Sequence, residues 1–205
     1  MKEMIMTAQE IYKSKVFKQC VEFHGHICPG LSMGYRAAVT GMDYLKERNR
    51  SVDEELVAIT ETDACGADAI QVITGCTFGK GNFIYKDYGK TAFTFFSRKT
   101  GNGVRLALKM NALNLSDNHL KLINRIVSDT ATDEERKEFQ ELHFQRSMDI
   151  LEKPIDELFS INDVSIPIPE KARIERSQAC KHCNEPVMPS KMNKNQICRS
   201  CQECS

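Results

Sequence analysis

The chain has 205 residues, enough to bury a sizeable core and to leave room for a small appendage. Its 28 basic and 28 acidic residues cancel to a formal net charge of zero, so charge gives no reason to expect non-specific nucleic-acid binding or an anionic membrane surface. No apolar run approaches the roughly 20 residues of a membrane span, and the opening MKEMIMTAQEIYKSK is mixed and charged, unlike a secretory signal; the expectation is a soluble cytoplasmic protein.

Thr7-Ala8-Gln9-Glu10 has the form of a capping box and predicts a helix with Ile11, Tyr12, Val16, Phe17, Cys20 and Val21 on one face. That helix leads into FHGHICPG, where His24, His26 and Cys28 stand two residues apart. Pro29 suits the first position of a second helix with Cys28 as its N-cap. Gly34, Ala37, Ala38 and Gly41 then give that helix a small-residue side that another backbone can approach, so it is expected to be buried. A buried strand is predicted at Leu56–Thr60, followed by a polar loop to Cys65 and a short helix from about Ala67 to Thr74, with Gly75 as its stop. Strands are expected at Asn82–Tyr85, at Ala92–Ser97 and along Val104, Leu106, Leu108 and Met110, the last two joined by a Gly101-Asn102-Gly103 turn. Met33, Met42 and Met110 are core candidates. Beyond Met110 the pattern turns helical, and Thr132-Asp133-Glu134-Glu135 opens an amphipathic helix to about Leu151. Residues 161–178 hold Pro167 and Pro169 without periodicity and read as a linker between a core of residues 1–160 and a small unit of residues 179–205.

Of the nine cysteines, Cys180, Cys183, Cys198, Cys201 and Cys204 crowd the last segment. Without a sign of export, disulfides are a poor default, and metal binding or catalysis a better one. Cys180-x-x-Cys183 and Cys198-x-x-Cys201 offer four thiolates to one tetrahedral zinc, whose binding supplies the folding free energy a segment with no apolar stripe lacks. The expectation is a ribbon or treble-clef finger, with Cys204 and His182 as spare donors. A closed four-cysteine site is structural. The finger has no aromatics for base stacking, so protein docking fits it at least as well as nucleic acid.

The chemistry is placed instead at the N-terminal cluster. Cys28 and Cys65 each precede a helix, whose unpaired N–H groups stabilise a thiolate. With His24 and His26 they make a nitrogen-and-sulfur set suited to zinc or a similar transition metal. A bland reading stands beside it, in which a histidine at a helix end caps or packs. Cys20 falls on an apolar face and reads as core; Cys76 is open between core and site. Asp63, Asp68 and Lys80 are candidates to support the site from behind. His119 and His143 lie on later helices and read as packing or surface residues.

FHGHICPGLSMGYRAA, ETDACGADAIQVITGCTFGKGNF and DYGKTAFTFFS together resemble the FmdE family of formylmethanofuran dehydrogenase proteins, over roughly residues 15–110. The terminal cysteine pairs match the accessory zinc finger that some members carry. The resemblance implies an α+β core with a mixed sheet in α-β-α-β-β-β order, association as a homodimer, and a link by name to the molybdenum or tungsten enzyme that fixes carbon dioxide onto methanofuran in methanogens. It also implies that His24, His26, Cys28, Cys65 and Cys76 line the site. Three functions follow as expectations. The leading one is a metal-binding accessory protein of one-carbon or molybdenum/tungsten metabolism, with a structural zinc in the tail and a second transition metal, zinc, in the core. The alternative is a stand-alone enzyme using a Cys28 or Cys65 thiolate, or a zinc-bound water. The third, a nucleic-acid or regulatory adaptor, is disfavoured by the neutral charge.

Overall fold

Thr7 opens the first helix, α1 (Ala8–Lys13), with the reciprocal box its sequence promises: its hydroxyl accepts from the Glu10 amide at 3.3 Å, and its own amide donates to the Glu10 carboxylate at 2.8 Å. The computed structural model describes residues 6–204; residues 1–5, part of the stretch read as unlike a secretory signal, lie outside the described residues. The helix stops at Ser14 instead of continuing to the histidines. Ser14 caps a second helix, α2 (Lys15–His24), its hydroxyl accepting from the Phe17 amide at 3.2 Å. A hydroxyl that satisfies free amides competes with helix continuation. Ile11, Phe17 and Cys20 remain buried across this break, whereas Val16 turns out to solvent.

Pro29 begins α3 (Pro29–Tyr44) with Cys28 as N-cap, and Gly34, Ala37, Ala38 and Gly41 are all buried. Gly34 faces α4 (Gly66–Thr74), which ends at Gly75 as expected, whereas Gly41 lies against the Phe95 ring. A Cβ on Gly34 would stand 2.2 Å from the Gly66 carbonyl oxygen, so this crossing exists only because the position is glycine.

The sheet is built from β1 (Leu56–Thr60), β2 (Phe83–Tyr85), β3 (Ala92–Ser97), β4 (Gly103–Leu108) and β5 (Phe159–Asp163), in spatial order β2-β1-β3-β4-β5. Only β1 and β2 run parallel, with α4 as their crossover; the other pairs are antiparallel. Leu56 and Ala58 of β1, with Phe93, Phe95 and Leu106, face the cluster under Ala37, Met42 and Ile70. Val57, Ile59 and Phe96 fill the opposite face, against Ile84, Val164 and Ile168. Both faces of β1 are therefore covered, which is why it reads as a continuous apolar run. The fold is α+β with a mixed sheet. Two details differ from expectation. The β3–β4 turn spans Arg98–Asn102, closed by the Gly101 amide on the Ser97 carbonyl at 2.9 Å, with Gly103 already in the strand. Met110 lies beyond β4, almost fully exposed.

After β4 come α5 (Asp117–Val127), α6 (Asp133–Glu152) and α7 (Ile155–Leu158). α6 has its Thr132–Glu135 capping box and buries Met148, Ile150 and Leu151. β5 then adds the last strand, so residues 161–163 of the segment expected as linker are sheet. The next stretch is also attached: Val164 and Ile168 pack on the sheet, and the Arg98 guanidinium donates to the Pro169 carbonyl at 2.7 Å. The two prolines hide these contacts by breaking any periodicity. The chain divides into compact units of residues 1–171 and 172–205. The second holds a small hairpin, β6 (Gln178–Ala179) with β7 (Pro186–Val187), and a closing helix, α8 (Arg199–Glu203). No helix among the described residues is long and apolar enough to cross a membrane.

Candidate metal centre

His24 is the last residue of α2, and Gly25 turns the chain at a φ of +93°, a left-handed conformation that favours glycine. The turn brings His26 back alongside His24, their ring centroids 4.5 Å apart. Cys28 then takes an extended conformation and caps α3, its Sγ accepting from the Leu31 amide at 3.3 Å. One donor atom from each of His24, His26 and Cys28 falls within 4.8 Å of the others. Cys28 Sγ lies 3.8 Å from His24 Nε2. Nitrogen and sulfur ligands of one tetrahedral zinc stand about 3.6 Å apart, so the spacing fits a shared cation.

His24 Nδ1 is held by Asp68 Oδ2 at 2.7 Å. A carboxylate can only accept, so Nδ1 carries the hydrogen and Nε2 presents its lone pair towards Cys28. This carboxylate–histidine pairing is the support that metal-ligating histidines commonly have. Asp68 reaches it from the first turn of α4, one turn beyond Cys65. Without a cation, burial is the main cause pushing the Cys28 thiol up to about 11, and the neighbouring Cys65 thiol adds to it. A bound metal reverses that balance by taking the thiolate directly.

Cys65 sits at the N-terminus of α4, half-buried beside Cys28 but outside the three-residue donor group. Cys76 is not brought to the cluster. It lies past the opposite end of α4, fully buried against Ala58, Ile70 and Phe83, its amide bonded to the Thr74 hydroxyl at 3.0 Å. Burial pushes its thiol up, as it pushes that of the equally buried Cys20 to about 12. Of the three supporting candidates Asp68 reaches the site, whereas the Lys80 ammonium bonds the carbonyls of Ser51 and Val52. Sequence reasoning missed the surroundings of His143. Its Nδ1 is 3.4 Å from Nε2 of the buried His119, and burial, assisted by His119 and His26, holds its pKa down. These residues come from separate elements, and no spacing announces the meeting.

In the second unit one sulfur from each of Cys180, Cys183, Cys198 and Cys201 lies within 4.8 Å of the rest, with Cys183 and Cys198 3.9 Å apart. Four sulfurs around one zinc stand about 3.8 Å apart. Neither His182 nor Cys204 belongs to this group. Backbone amides of Cys183, Cys198 and His182 draw the Cys180 thiol down to about 6, while Cys198 is the main cause holding Cys201 up at about 12. The four cannot all ionise until a cation joins them.

A family profile described as "FmdE, Molybdenum formylmethanofuran dehydrogenase operon" matches residues 23–160. A crystal structure of a tungsten formylmethanofuran dehydrogenase FmdE-like protein from Syntrophus aciditrophicus superposes with a TM-score of 0.64 at 25% identity, covering 98% of each chain. A protein of Archaeoglobus fulgidus named a probable S-adenosyl-L-methionine-binding protein is 35% identical over 196 residues, 92% of this chain and 52% of its own length. The chain thus spans about half of that curated relative.

Proposed function

The chain belongs to the FmdE family, and from that premise we propose that it is a metal-binding accessory protein of molybdenum- or tungsten-dependent one-carbon metabolism. The core holds a transition metal, zinc in the first instance, through His24, His26 and Cys28, with Cys65 beside it; the tail holds a structural zinc through Cys180, Cys183, Cys198 and Cys201. The observation that carries this reading is the donor group with Asp68 fixing the free nitrogen of His24. The metal supplies Lewis acidity at a position the protein leaves accessible, since His26 is exposed. Homodimerisation, and docking onto a molybdenum or tungsten enzyme, belong to the same proposal, with light scattering as the check on the dimer.

A second reading rests on Cys28 and His24 together with Asp68. Cys28, His24 and Asp68 stand in the order nucleophile, base and orienting carboxylate, at 3.8 and 2.7 Å. An enzyme of that kind needs an anionic Cys28, and burial holds the free thiol at about 11. A cation resolves this more simply than a histidine does, so the metal reading leads. S-Adenosylmethionine, named for the Archaeoglobus fulgidus relative, has nearly half of that protein in which to bind outside the matched part. The proposal is independent of it.

The test is metal content per chain, wild type beside Cys28→Ser. Two metals falling to one support the core site. One metal in both, retained by the tail, removes it, and rapid alkylation of Cys28 near neutral pH would then establish the nucleophile.

A further inference from the structure

Cys28 and Cys65 come from different parts of the sequence, yet each marks the N-terminal end of a helix, and those two helices cross where Gly34 meets Gly66. The crossing leaves both sulfurs against one edge of Gly30. The position a Cβ would take on that glycine lies 3.6 Å from Cys65 Sγ and 3.9 Å from Cys28 Sγ. Of the other two core cysteines, Cys20 is fully buried on α2, and Cys76 lies past the far end of α4. Cys65 is also the more accessible of the pair, since Cys28 is only 4% exposed. No side chain caps α4 at Cys65; the Ala67 and Asp68 amides donate instead to the Ala64 and Cys65 carbonyls, at 2.9 and 3.2 Å.

We propose that Cys28 and Cys65 are an oxidisable pair, joined into a disulfide by a peroxide or a low-molecular-weight disulfide. With hydrogen peroxide, the Cys65 thiolate attacks one oxygen; the S–O bond forms, the O–O bond breaks, and hydroxide leaves to take up the proton that the thiol gave. The Cys28 sulfur then attacks the Cys65 sulfenic acid, the S–S bond forms, and a second water departs with the Cys28 proton. Two thiols and one peroxide become one disulfide and two waters. With a small disulfide the intermediate is a mixed disulfide on Cys65, and two small thiols leave. The bond withdraws Cys28 from His24 and His26, so oxidation and metal occupancy exclude each other. That consequence rests on the metal reading above; the bond itself does not.

The experiment treats the full-length chain with hydrogen peroxide or oxidised glutathione, after chelation and after loading with zinc, and maps the products without reduction. Trypsin places Cys20 and Cys28 on one peptide, residues 19–36, and Cys65 and Cys76 on another, residues 51–80. The expected product is this pair of peptides joined, lighter by two hydrogen atoms, with fragmentation assigning the link to Cys28 and Cys65 on the wild-type chain itself. Cys28→Ser and Cys65→Ser should each abolish it, and dithiothreitol should reverse it. Linkage through Cys20 or Cys76 overturns the proposal, as does a glutathione or sulfinic acid on Cys65 while Cys28 stays free. Zinc in the core should slow linkage, and the linked protein should refuse zinc there until reduced. If the core takes up no zinc in any form, the metal reading fails, and the map of the link still decides this one.

Discussion

Asp68 holds Nδ1 of His24 at 2.7 Å, and this one hydrogen bond decides which lone pair the ring offers. Asp68→Asn keeps the size of the side chain and removes the carboxylate that accepts from Nδ1. The core site should then bind zinc about 10–100-fold more weakly, while the thermal midpoint stays near that of the wild type. Competition against a chromogenic chelator reads the affinity. An unchanged affinity would make Asp68 a packing residue only. At this scale much of the site was legible: two-residue spacing places His24, His26 and Cys28 together, and the N-cap role of Cys28 follows from Pro29. Cys76, open between core and site on its own residues, entered the set through the resemblance, and a whole helix, α4, separates it from Cys65. His143 was invisible because nothing local connects residue 26 with residue 143.

Two helix pairs govern what surrounds the site. The first, α3 on α4, depends on Gly34. In Gly34→Ala the new methyl meets the Gly66 carbonyl oxygen, a backbone atom that cannot swing aside. The expected cost is about 3 kcal/mol, or a thermal midpoint about 6–12 °C lower. Because the same crossing holds Cys28 beside Cys65, that variant should also form the core disulfide more slowly. A variant as stable as the wild type would show that the helices part easily. The second pair, α5 and α6, buries His119 against His143. Burial is the main cause lowering both pKa values, assisted by Arg146 at His119 and by His119, His26 and Arg146 at His143. The folded state therefore resists protonation, and on acidification the unfolded chain takes up protons first. Stability present above the unfolded value near 6.5 should be lost as pH falls below it. Denaturant midpoints at about pH 7.5 and about pH 5.5 should differ more for the wild type than for His119→Asn; equal differences would remove the pair as the cause. The elements themselves were largely readable, β1 and β3 to the residue, because apolar runs and caps are local signals. Ser14 and β5 were not. One hydroxyl tips a helix into two, and a strand at the sheet edge, half-exposed and next to prolines, carries no clear period.

The two units of the molecule hold their shape by different means. Residues 1–171 bury aromatic and aliphatic side chains on both faces of a five-stranded sheet. In residues 172–205 the only buried side chains among the described residues are Cys180 and Cys198. A hairpin of two-residue strands and a five-residue helix has too little apolar area to offset the conformational entropy of ordering it. Four sulfurs within 4.8 Å of one another would also repel once ionised. On the proposed reading, metal coordination supplies the folding free energy of this unit, which would account for a paired-cysteine signature in a segment otherwise without pattern. Stripping the metal with a strong chelator, or replacing Cys198 with serine, should unfold residues 172–205 alone. Trypsin would then cut at Lys181, Lys191 and Lys194, while the main thermal transition, which reports the sheet, keeps its midpoint. A tail that resists trypsin with no metal bound would mean that these sulfurs hold the unit as a disulfide or by packing, and that its four-cysteine spacing serves something other than a cation.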